Sequence, residues 1–142
     1  MEFSITGKEE SMSALILVAS GDPKRLVRLK KLVEMQGAVA LTASDAGEAM
    51  TIFVRRAPDL TVLHLDDDIR LELLRDMKTI QSGRMRAVMV VASQSTRQHA
   101  FAAGCNAFIQ RQTDPRPLER AVRGFLTVTR RRQAPGSVEI VA

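Results

Sequence analysis

The residues of this chain that could do chemistry stand at the ends of successive apolar runs. Ser20, Gly21 and Asp22 follow Leu15-Ile16-Leu17-Val18. His64 comes near the end of a run over 60–65, with Asp66, Asp67 and Asp68 directly behind it. Ala92, with Ser93 beside it, and Arg111 follow two later runs. Imidazole can be phosphorylated or bind a metal, and carboxylates such as Asp22, Asp66 and Asp67 are the ligands a hard cation such as Mg²⁺ prefers. Arg111 could pair with one of those carboxylates. Simpler roles stand beside each of these. His64 could close a strand end as a polar residue, and Asp68 could cap a helix. His64 and His99 are the two histidines and Cys105 the one cysteine, too few for a His/Cys metal set. No phosphate loop or nucleophile–base pair appears in the sequence. The expectation is a protein without enzymatic activity, metal or cofactor.

These positions depend on the elements that carry them. Residues 14–19 form a continuous apolar run, the pattern of a strand buried on both faces of a parallel sheet. Asp22-Pro23 opens a helix, with Pro where its missing N–H costs little, and Gly37 ends it. A short strand over 39–42 follows. Ser44 or Asp45 caps a second helix with Ala49, Met50 and Phe53 facing inward, and Pro58 stops it. A third strand spans 60–65, a third helix 69–80, a fourth strand 87–91 and a fourth helix 96–103, ended by Gly104. A brief strand over 107–109 precedes a last helix that starts at Pro117-Leu118 and buries Leu118, Ala121, Val122 and Phe125. Regular alternation predicts an α/β domain, a parallel sheet with helices on both faces. Its ligand edge lies at the carboxyl ends of the strands. Residues 1–12 read as a flexible tail, 13–132 as the domain, and 133–142 as a tail or linker whose stretch over 138–141 is short and β-prone.

Ile16-Leu17-Val18, the stretch 42–49, Ala57-Pro58-Asp59-Leu60 and the stretch 102–109, in this order, resemble receiver domains of two-component response regulators over about residues 14–130. The resemblance implies a doubly wound, five-stranded, flavodoxin-like (CheY-like) fold with strand order 2-1-3-4-5. It also implies a phosphorylation pocket: acidic Mg²⁺ ligands after the first strand, a phosphoacceptor aspartate ending the third, a hydroxyl after the fourth and a lysine after the fifth. Here those positions read Ser20 and Gly21, His64, Ala92 and Arg111, with Asp22 the one carboxylate left in the first turn. The loop after His64 is about two residues short and carries Asp66 to Asp68. The resemblance therefore points to a pseudo-receiver, with Phe108 where such domains carry a switch aromatic.

Net charge is +5 over 142 residues. Arg116, Arg120 and Arg123 recur on one face of the last helix, and Arg130 to Arg132 extend the charge. That excess permits an acidic protein partner or nucleic acid, but with no Trp or Tyr and no helix-turn-helix, nucleic acid is the weaker alternative. No apolar run reaches the ~20 residues of a membrane span, and the N-terminus lacks the order of a signal peptide, so a cytoplasmic setting is expected. The expected function is a phosphorylation-independent protein-interaction module in bacterial signalling or cell organisation. Its expected surface is the fourth helix, fifth strand and fifth helix, including Phe101 and Phe108, with an unidentified protein or a second copy as partner. The alternatives are a receiver still responding to Mg²⁺ or phosphoryl groups through Asp22, Asp66 or Asp67, and a basic nucleic-acid-binding protein.

Overall fold

The computed structural model describes residues 13–80 and 86–133. The chain runs β1 (Leu15–Ala19), α1 (Pro23–Met35), β2 (Val39–Ala43), α2 (Ala46–Arg56), β3 (Leu60–His64), α3 (Leu71–Ile80), β4 (Ala87–Ala92), a 3₁₀ turn (Gln94–Thr96), α4 (Arg97–Ala102), β5 (Ala107–Gln110) and α5 (Arg116–Gln133). All strand pairs are parallel, in the order β2-β1-β3-β4-β5. This is the doubly wound sheet expected from the sequence.

Alternation along each strand divides the interior into two cores. Leu17, Ala19, Leu63 and Val90 face α2, α3 and α4, where Ala49, Phe53, Leu74, Met77 and Ala100 cover them. Ile16, Val18, Val62 and Val91 face α1 and α5, where Leu29, Val33, Leu118, Val122 and Leu126 close the other side. His64, two residues after Val62 in the same strand, shares that second face by parity.

Local chemistry sets the element ends. Asp22 accepts hydrogen bonds from the N–H groups of Lys24 (3.0 Å) and Arg25 (3.5 Å) and caps α1; Gly37, with φ 88°, follows that helix. Asp45 caps α2 through Glu48 N–H, while Glu48 reaches back to the N–H of Ser44, the residue before the cap, at 2.7 Å, a variant of the capping box. Strand ends differ from the sequence reading by one residue, and three helices differ as well. Helix α3 begins at Leu71 rather than 69, because Asp66 Oδ1 takes the N–H groups of Asp68 and Ile69 and holds that segment as a turn. Asp68 therefore does not act as the helix cap. Helix α4 is preceded by a separate 3₁₀ turn, and α5 runs from Arg116, whose N–H bonds Asp114 Oδ1 at 3.0 Å, through Gln133, one residue past the expected boundary. Residues 1–12 and 134–142, which include the β-prone stretch 138–141, lie outside the described residues, as do the side chains of Arg130 to Arg132.

Candidate functional site

Parallel topology brings the carboxyl ends of β1, β3, β4 and β5 to one edge, and with them Ser20, Gly21, Asp22, His64, Ala92 and Arg111. Ser20 directly follows β1 and is fully buried; His64 is the last residue of β3, and Ala92, also buried, the last of β4. Arg111 follows β5, and its N–H donates to Ala92 O at 2.7 Å.

The centre of this edge is Asp66. Its Oδ2 accepts from Gly21 N–H at 2.8 Å and Ser20 Oγ at 3.2 Å, with Arg25 Nη1 at 3.9 Å. Its Oδ1 accepts from the N–H groups of Asp68 and Ile69, both at 2.9 Å. Burial alone would push this carboxyl up, but the Gly21, Ile69 and Asp68 N–H groups and the Ser20 hydroxyl outweigh it and hold the group below its ordinary value. Asp66 is thus an ionised clasp joining the β1–α1 and β3–α3 loops.

Gly21 is needed beside that clasp for space. A Cβ at position 21 would lie 2.7 Å from the Asp68 Cβ, with the Asp68 carboxylate also in the way. The short loop after β3 lays the Asp68 side chain across the place where a side chain at position 21 would go.

His64 retains only 6% of its exposure, and its Nδ1 is buried without a hydrogen-bond partner. Burial first, then the Arg25 and Arg111 guanidinium groups, push its pKa from 6.5 down to about 4, with Asp66 and the Leu65 backbone opposing. The imidazole is neutral at pH 7 and not poised as a base of ordinary strength.

Arg111 does not form the expected pairs with Asp22, Asp66 or Asp67 among the described residues. Its Nη2 donates to the Leu65 carbonyl, while Arg25 lies 3.8 Å from Asp22 and 3.9 Å from Asp66. The reason is geometric: α1 starts at the β1 loop and carries Arg25 over the carboxylates, whereas Arg111 reaches the β3 backbone from β5. Nothing in the sequence periodicity singled out Arg25. Among the described residues no set of three or more His, Cys, Asp or Glu side chains is grouped to hold a metal ion.

The second expected surface lies on α4, β5 and α5. Phe101 is 43% exposed, with the Arg97 guanidinium 5.1 Å from its ring centroid. Phe108 is half-buried against the α2–α3–α4 core, and Ala100 is fully buried in it. Arg116 pairs with Asp114 at 2.9 Å, Arg123 Nε donates to Gln36 Oε1 at 3.2 Å, and Arg120 is exposed. No helix among the described residues is long and apolar enough to cross a membrane.

Solved structures that share this architecture include several receiver domains. One from Clostridium thermocellum superposes with a TM-score of 0.70 at 23% identity, over 81% of this chain and 95% of that one. A CheY-like receiver from Methanospirillum hungatei JF-1 gives 0.70 at 24%, over 82% and 96%. The receiver domain of a histidine kinase from Syntrophus aciditrophicus gives 0.72 at 19%, over 82% and 92%. The fold is that of a receiver domain. A curated relative, an uncharacterised 14.6 kDa protein from the sodA1 3′ region of Leptolyngbya boryana, is 28% identical over 115 residues, 78% of this chain and 88% of that protein. No family model matches the chain.

Proposed function

We propose that this receiver fold is a pseudo-receiver: a phosphorylation-independent protein-interaction module of bacterial signalling or cell organisation, working in the cytoplasm without a catalytic step. The observation that carries the reading is the packing of Asp68 onto Gly21. A receiver needs an acidic side chain near that point to hold Mg²⁺ against the incoming phosphoryl charge. Here Asp68 excludes any side chain at position 21, so the acidic pair after β1 is not reproduced; Asp22 is engaged in capping α1, and Asp66 is engaged by four donors. At the strand end where the phosphoacceptor is expected stands a buried neutral His64.

A fold relieved of this chemistry still offers its surfaces. The α4–β5–α5 face supports docking of a protein or of a second copy, through exposed Phe101 stacked under Arg97 and exposed Arg120. Incubation with acetyl phosphate and Mg²⁺, followed by intact mass measurement, tests the first half of the proposal. The expected mass is unchanged; a hydroxylamine-labile phosphoryl adduct, the mark of an acyl phosphate, refutes it. Sedimentation and partner-binding assays with Phe101→Asp test the second half. Association lost in that variant, with stability unchanged, is expected; association identical to the parent's contradicts the assigned face.

A further inference from the structure

We propose that the groove between α1 and α5 is a binding site for a small organic anion with an apolar body. The groove has a volume of about 710 Å³, within the range of small-molecule sites. Its floor is apolar: Leu29, Val91 and Leu118 are buried there, with Ile109 beside them. Its rim is cationic, with Arg28 and Lys31 exposed on α1 and Arg111 entering from the end of β5. Two acidic residues also line it, but Asp114 is taken by Arg116 at 2.9 Å, which leaves Glu119 against the cations. Arg25 completes the wall while engaged with Asp22 and Asp66.

His64 supplies the independent sign of a ligand. It lines the groove, is 6% exposed, and holds a buried Nδ1 with no partner. A buried polar atom without a partner is costly, and a ligand in the groove that turns the imidazole or parts the side chains covering Nδ1 relieves that cost by bonding it. An anionic head at Arg28 and Lys31, an apolar body over Leu118 and Ile109, and a polar atom at His64 together satisfy every wall. The groove shares β5 and α5 with the α4–β5–α5 face but is not lined by Phe101, Arg97 or Arg120, so its failure leaves the protein-docking proposal standing.

The probe is 8-anilinonaphthalene-1-sulfonate, which carries a sulfonate, an aromatic body and an amine. It is titrated into the full chain by fluorescence, with amide NMR locating the contact. Saturable binding at one site, with shifts centred on Val91, Ile109 and Leu118, is expected. Replacing Arg28 and Lys31 together by Ala should weaken it about tenfold, and His64→Leu by about as much, one well-formed polar contact each. N-phenyl-1-naphthylamine, the same body without the sulfonate, should bind about tenfold more weakly too. The proposal is overturned by shifts on another face, by non-saturable binding, or by unchanged affinity in either variant or with the neutral analogue.

Discussion

Acidification should destabilise this protein through His64 before its carboxylates matter. The imidazole is accommodated neutral in the fold, with a pKa pushed from 6.5 to about 4 by burial and by Arg25 and Arg111. The unfolded chain takes up the proton near 6.5 and the folded chain near 4, so between those values the unfolded state binds more protons and stability rises with pH. The contribution is intact above pH 6.5 and is lost as pH falls toward 4. A gap of this size is worth about 3 kcal/mol in full, of which about 2.5 kcal/mol is gone by about pH 4.5. That is a sizeable share of the ~5–15 kcal/mol typical of a domain. Urea unfolding at about pH 8 and about pH 4.5, for the parent and His64→Leu, isolates the effect, since other titrating groups are common to both. The parent should lose about 2.5 kcal/mol more than the variant over that interval. Equal losses in the two proteins, or an imidazole that titrates near 6.5 by NMR in the folded state, would refute the reasoning.

Other perturbations probe the same edge. Gly21→Ala should destabilise by about 1–3 kcal/mol through overpacking against Asp68, and less in an Asp68→Gly background, where the obstructing Cβ is gone; a urea double-mutant cycle reads the coupling. Asp66→Ala should cost about 2 kcal/mol at neutral pH, because Gly21, Ser20, Asp68 and Ile69 lose their acceptor. Because the Asp66 pKa is depressed in the fold, its contribution is present above the ordinary value of 3.8 and is lost as pH falls below it, so parent and variant should converge in acid. Cys105 is buried and free, and burial first of all pushes its thiol up; a disulfide reagent should modify it about a hundredfold more slowly in the native than in the urea-unfolded protein. Native reaction at the unfolded rate would contradict its burial.

The fold was largely legible because its signals are local and repeated. Apolar runs at Leu15–Ala19 and Leu60–His64 leave few arrangements other than buried parallel strands, and Asp22-Pro23 and Asp45 mark helix starts by their own hydrogen bonds. The strand-end residues were legible for the same reason, since topology alone brings them together. What escaped was set by contacts between loops distant in sequence. The clasp from Asp66 to Ser20 and Gly21 spans more than forty residues, while the same carboxylate's local bonds to the Asp68 and Ile69 N–H groups explain why α3 starts at Leu71. Arg25, on the cationic outer part of α1, looked like any solvated charge until the fold placed it over Asp66. Leu126 joins Leu118 and Val122 as the buried face of α5, while Ala121 and Phe125 pack against the same core only part-buried, a distinction that helical spacing leaves open.

The most direct test of the central claim is an amide NMR titration with Mg²⁺ and then beryllium fluoride, a mimic of the phosphoryl group. The account predicts no saturable shifts at residues 20–22, 64–68 and 92–93, because Asp68 fills the space beside Gly21 and Asp66 is already satisfied. Localised, saturable shifts at those residues would mean that the edge binds metal and phosphoryl groups after all, and would contradict the pseudo-receiver reading.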